Sequence, residues 1–187
     1  MKRIILIGVG VVIIVLVFLL LRSSREVPQT NETLRSYSGH GLNFAYPQGY
    51  FLREIDESAG ERDRYTIVLV QDTPTNRDIV EGRLPGTDSP PTITISAFQN
   101  SLDSYTAQSF IQNHSASNFK LSDGKLTDVT VASIPALQYR ASGLFENINT
   151  VTARPDYVYM FTVFYNAPTD RITQDYMRIL ETVQFGE

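Results

Sequence analysis

The first apolar block of the chain, Ile4–Leu21 (IILIGVGVVIIVLVFLLL), runs for 18 residues without one charged or polar side chain. As a helix it spans about 27 Å, close to the hydrocarbon thickness of a bilayer. It is longer than the roughly 7–15 residues of a signal-peptide core. The following Arg22-Ser23-Ser24-Arg25-Glu26 carries no Ala-x-Ala-like cleavage site. An uncleaved transmembrane helix over residues 4–21 is expected, with the lipid bilayer as its partner. Lys2 and Arg3 precede it, while Arg22, Arg25 and Arg35 follow, so the flanking positive charge is nearly balanced. The short tail, residues 1–3, favours a cytoplasmic N-terminus. The expectation is a single-pass protein of the cell membrane with its domain on the extracytoplasmic side.

Residues 22–36 (RSSREVPQTNETLRS) hold only Val27 and Leu34 as large apolar side chains and read as a polar tether. Residues 37–187 then read as one globular domain. Tyr65–Gln71 and Tyr157–Tyr165 are unbroken apolar runs that suit central strands covered on both faces. Thr92–Phe98 alternates, with Ile93, Ile95 and Ala97 against Thr92, Thr94 and Ser96, as a half-exposed strand does. Leu42–Tyr46, Phe51–Ile55, Leu126–Val131, Ala136–Ser142 and Phe145–Ala153 are further strands. Two helices are predicted. Ser101–His114 turns Leu102, Tyr105, Phe110 and Ile111 to one side. Thr169–Val183 repeats Ile172, Tyr176, Ile179, Leu180 and Val183 at helical spacing, capped by Thr169 or Asp170.

Composition removes several functions. The chain has no Cys, which excludes disulfides, thiol catalysis and Cys-containing zinc sites. Without Lys2, Arg3 and Arg22, residues 23–187 carry 13 basic against 20 acidic residues, a net charge of −7. That balance speaks against a nucleic-acid partner and against a domain lying flat on an anionic membrane. His40 sits between two glycines and reads as a loop residue, while His114 closes a helix, where a cation is favourable. The acidic stretch Glu54, Asp56, Glu57, Glu61 and Asp63 is interleaved with Arg53, Arg62 and Arg64 and lacks a calcium-loop pattern. It reads as a solvated edge. Gly-x-Ser-x-Gly and phosphate-loop patterns are absent from the sequence. No catalytic, cofactor or metal site is assigned.

The stretch Tyr37-Ser38-Gly39-His40-Gly41-Leu42-Asn43-Phe44-Ala45-Tyr46-Pro47-Gln48-Gly49-Tyr50 resembles the opening of PsbP-like domains. There a glycine precedes a short aromatic strand that ends in Tyr-Pro and a Gly-aromatic pair. The closing Tyr176-x-x-Ile179-Leu180-x-Thr182-Val183-x-Phe185 resembles their last helix and strand. The likeness covers about residues 37–186. It implies an α+β fold, an antiparallel sheet packed between helices as an α/β/α sandwich. The family's namesake is an extrinsic photosystem II subunit, and many bacterial relatives are membrane-tethered without an assigned role. Tyr50 departs from the pattern, standing where family members commonly have Trp. No photosystem-binding or metal-binding residue set is matched.

Function is therefore expected in an interaction rather than a reaction: a membrane-anchored, non-catalytic module that assists or docks onto an envelope protein. A solute- or metal-binding domain, or an enzyme with a scattered site, are the alternatives. The place to look is Asp72–Pro91, a 20-residue interval between two core strands, stiffened by Pro74, Pro85, Pro90 and Pro91. Asn76–Glu81 is predicted as a helical turn within it. Arg77, Ile79, Val80, Arg83 and Leu84 are its candidate contact residues for a protein partner.

Overall fold

His40 and Gly41 both take left-handed backbone angles, with φ of 50° and 69°. That pair of angles makes the two-residue turn whose twist matches antiparallel strands. It joins β1 (Leu34–Gly39) to β2 (Leu42–Pro47), with Gly39 opposite Leu42. The structure, a computed structural model, describes residues 33–85 and 88–186. The anchor expected at 4–21 lies outside those residues; among the described ones no helix is long and apolar enough to cross a membrane. β1 corrects the expected boundary, because it takes residues 34–36 from the stretch read as tether. The Arg35 guanidinium lies 5.8 Å from the Tyr46 ring centre and Tyr37 stacks on Phe44 at 5.1 Å, so cross-strand aromatics draw this polar segment in.

The remaining strands are β3 (Tyr50–Asp56), β4 (Arg64–Gln71), β5 (Thr92–Gln99), β6 (Thr127–Val131), β7 (Ile134–Ser142), β8 (Glu146–Ala153), β9 (Tyr157–Tyr165) and β10 (Gln184–Phe185). β10 adds to β2, giving a small sheet β1-β2-β10. The others form a seven-stranded sheet in the order β3-β4-β5-β9-β8-β7-β6, every pairing antiparallel. The strands expected from the apolar patterns all form, with ends moved by a residue or so.

Side chains alternate between the two faces of the large sheet. One face carries Ile67, Leu69, Ile93, Ile95, Phe161 and Val163, all fully buried under the small sheet and the last helix, α3 (Arg171–Thr182). The opposite face carries Phe98, Tyr139, Val151, Val158 and Met160, packed by Phe110 and Ile111 of the helix α2 (Ala107–Asn113). Short 3-10 turns at Ser115–Ser117 and Phe119–Leu121 extend that cover. The third helix, α1 (Pro74–Val80), starts at a Thr73 cap with Pro74 in its first turn and buries no side chain.

Two helix expectations change. α2 is seven residues, not the fourteen of Ser101–His114, because buried Asn100 winds the preceding chain into a turn. Its side chain donates to the Tyr105 and Arg154 carbonyls and accepts from the Tyr105 N–H, and Ser104 goes left-handed. Leu102 consequently stands 54% exposed instead of facing the core. In α3, Asp170 is the flanking residue, but its carboxylate accepts from the Asn166 and Ala167 N–H groups and not from the helix.

Candidate functional site

Residues 72–85 of the interval between β4 and β5 form an excursion built around α1. Its charges pair among themselves: Arg77 grips Asp72 with two hydrogen bonds of 2.5 and 2.8 Å and lies over the Phe51 ring at 5.1 Å. Arg83 binds Asp78 at 2.7 Å and also meets Glu81. Arg53, reaching across from β3, donates to the Val80 carbonyl and holds the end of α1. The Arg77 pair keeps the Asp72 carboxyl below the ordinary carboxylate range.

Beneath the excursion lies a half-open groove of about 490 Å³. Its floor is the half of the sheet that α2 leaves bare: Ile55, Val68, Thr92, Thr94 and Phe164. Register explains the set, since Val68 lies opposite Thr94 and Thr92 opposite Phe164, all on one face. Ile79 and Val80 of α1, with Ser89 and Pro90, form one wall. Leu144 and Phe145, at the β7–β8 turn, form the other. No ionisable side chain is found among the described residues that line it.

The five candidate contact residues therefore divide. Ile79 and Val80 face the groove, whereas Arg77 and Arg83 border a second, more open hollow of about 470 Å³ with Asp72, Pro74 and Asp78. Leu84 stands 41% exposed outside both. The floor residues and Leu144 were not anticipated. Two signals for them exist in the sequence: the unbroken apolar runs, which demand cover on both faces, and a Leu-Phe pair at a hairpin tip, where turn residues are ordinarily polar.

A second cluster gathers around the β1–β2 turn. Glu54 accepts from the Tyr37 hydroxyl at 2.6 Å and lies 2.9 Å from His40 Nε2. The His40 ring stacks on Tyr65 at 3.5 Å, and its carbonyl accepts from the Tyr159 hydroxyl at 2.8 Å. The bond from Tyr37, then that from His40, holds the Glu54 carboxyl below its ordinary range. Burial and the same carboxylate push the Tyr37 phenol up. Both Glu54 oxygens are thus committed to fastening the small sheet onto β3 and β4. Two other acidic residues of this edge are also partnered: Asp56 accepts from the Ser58 N–H, and Glu57 meets Arg64 and Thr66. Among the described residues no group of three His, Asp or Glu side chains is placed to hold a metal ion.

His114 differs from its expected role. Burial, with Arg64 nearby, pushes the imidazole below its ordinary pKa. The ring stacks on Phe110 at 4.4 Å, and its Nδ1 accepts from the Ala116 N–H at 3.2 Å. It acts as a neutral acceptor rather than as a cation at a helix end.

No protein-family model and no curated protein matches the chain. Among solved structures it is similar to the solution structure of cyanobacterial PsbP (CyanoP) from Synechocystis sp. PCC 6803. The TM-score is 0.50 at 14% identity, over 84% of this chain and 95% of that one. A crystal structure from Bacteroides thetaiotaomicron VPI-5482 is similar at a TM-score of 0.47 and 10% identity; the match covers 82% of this chain and 48% of that one. The likeness to CyanoP defines the class of fold: a PsbP-like α+β domain dominated by antiparallel sheet, with few helices.

Proposed function

We propose that the chain is a membrane-tethered member of the PsbP-like domains, working outside the cytoplasm as a non-catalytic module that docks onto an envelope protein. The observation that carries this reading is the excursion Asp72–Pro91. Its residues 72–85 are tied together by a capped helix and internal ion pairs, although α1 buries no residue. Such a loop on a rigid sheet suits binding better than stability. Its outward side, Arg77, Arg83 and Leu84, together with Leu144 across the groove, is the contact surface.

The test is affinity capture of the detergent-solubilised full-length protein, compared with a chain whose Asn76–Leu84 segment is replaced by a Gly/Ser linker. A partner lost at unchanged thermal stability supports the reading, and an unchanged set of partners removes the excursion from it. Placement is tested separately with protease added to intact spheroplasts. Degradation of residues 37–187 with a membrane-bound stub is expected, whereas full protection reverses the orientation.

A further inference from the structure

Strands β4 and β9 are apolar on both sides, and on one side they are covered: Ile67, Leu69, Phe161 and Val163 are fully buried. On the other side α2 covers Val158 and Met160, but farther along the same face Ile55, Val68 and Phe164 remain only half-buried on the groove floor. Aliphatic and aromatic side chains gathered in a recess, with a few hydroxyls among them, have the make-up of a small-molecule site. We propose that the groove is a binding site for a small, uncharged, mainly apolar molecule with one or two oxygen atoms at one end, a lipid-like alcohol or ester. The proposal rests on this face being the working side of the domain, as argued above, and adds a ligand separate from the protein partner.

The chemistry of the lining selects that class. Arg77 and Arg83 are paired on the outer side of α1, and Arg53 is spent on the Val80 carbonyl. A charged group entering the groove would lose its water without gaining a counter-charge. Thr92 already donates to the Pro90 carbonyl at 2.6 Å. The hydroxyls of Ser89 and Thr94 have no hydrogen-bond partner among the described residues and are the groups available to a ligand oxygen. About 490 Å³ suits a small molecule, for which sites run from roughly 300 to 1,000 Å³. A polypeptide strand fits poorly. β4, β5 and β9 are each hydrogen-bonded on both edges, so main chain laid on them would bury amides without partners.

The probe is a long-chain aliphatic alcohol carrying a photoreactive diazirine, applied to the full-length protein in lipid nanodiscs. Labelling is mapped on the tryptic peptides Tyr65–Arg77 and Ala141–Arg171, which contain Val68, Phe145 and Phe164. Saturable labelling of both peptides is expected, unchanged by salt and about tenfold weaker with a carboxylate analogue of the probe. Thr94→Trp, which fills the groove, and Val80→Asp, on a helix with no buried residue, should each lower it about tenfold. Val80→Asp should in addition raise labelling by the corresponding long-chain amine. Labelling that does not saturate, or that survives both substitutions, overturns the proposal. If Thr94→Trp abolishes capture of a protein partner while the wild type takes no probe, the ligand assignment falls and the interaction module stands. If labelling is lost and the partner is kept, the ligand site is established independently of the partner.

Discussion

The carboxyl of Asp175 lies on the apolar stripe of α3 and is fully buried. Its Oδ2 accepts from the Tyr50 hydroxyl at 3.0 Å, with Arg171 Nε at 3.4 Å. Its Oδ1 makes no hydrogen bond, and Arg178 Nη1 is 3.5 Å away. Both arginine side chains are more than half exposed, so solvent screens much of their attraction. Tyr50→Phe keeps the ring in its buried place and removes only the short neutral donor. A hydrogen bond to a charged group contributes about 1.5–3 kcal/mol, and the carboxylate left behind is already desolvated. A loss of about 2 kcal/mol is expected, which for a domain of this size lowers the melting midpoint by about 4–8 °C. The assay is urea denaturation of the protein followed by far-ultraviolet circular dichroism. The double variant Tyr50→Phe with Asp175→Leu should recover most of the loss, since replacing both partners by apolar groups is close to neutral. A Tyr50→Phe protein within about 0.5 kcal/mol of wild type would refute the reasoning, as would a double variant showing the sum of both single losses.

Ala132 and Ser133 turn β6 into β7 with φ of 48° and 66°, angles that asparagine and glycine adopt more readily. Ala132→Asn with Ser133→Gly should stabilise the protein by about 1 kcal/mol in the same denaturation assay. The depressed pKa of His114 means that the unfolded chain takes up its proton first, at about pH 6.5. This contribution to stability is complete above that pH and declines as pH falls from there towards the folded value. His114→Asn should remove this component from the pH dependence measured between about pH 7.5 and pH 5.5. Leu180→Asp places a charge on the half-buried edge of α3 packed against the core, and a fall of about 2 kcal/mol or more is expected by thermal denaturation.

The strands were legible because their signal is local: YTIVLVQ and YVYMFTVFY suit little else, and a Pro or Gly bounds most of the others. The last helix was legible through its stripe, except for Asp175, which sits on that stripe with the partner of its carboxylate more than a hundred residues away in the chain. Distance in sequence also hid the end of α2. Asn100 reads as a loop residue, and only its bond to the Arg154 carbonyl reveals why residues 101–105 cannot join the helix. At the start of the domain, Leu34-Arg35-Ser36 has no strand pattern of its own. β2 supplies the template, and Tyr46 the ring over which Arg35 lies.

For the candidate site, the excursion was found by its length and prolines, but its orientation was not, because the five contact residues were read as one surface. A helix of two turns presents opposite sides, and here the charges and the aliphatic pair part company. Arg77 and Arg83 are neutralised by Asp72, Asp78 and Glu81, while Ile79 and Val80 close over the sheet. The distinction matters for what such a domain binds. A face built of paired surface charges contributes orientation and little affinity, since exposed pairs are worth about 0–1 kcal/mol. A neutral apolar recess draws its affinity from surface removed from water, at about 25 cal/mol per Å². Binding that tightens at low salt therefore belongs to the outer hollow, and binding indifferent to salt belongs to the groove. Different residues of α1 line the two, Ile79 and Val80 the groove and Pro74, Arg77 and Asp78 the hollow, so a single substitution on α1 can move one and leave the other.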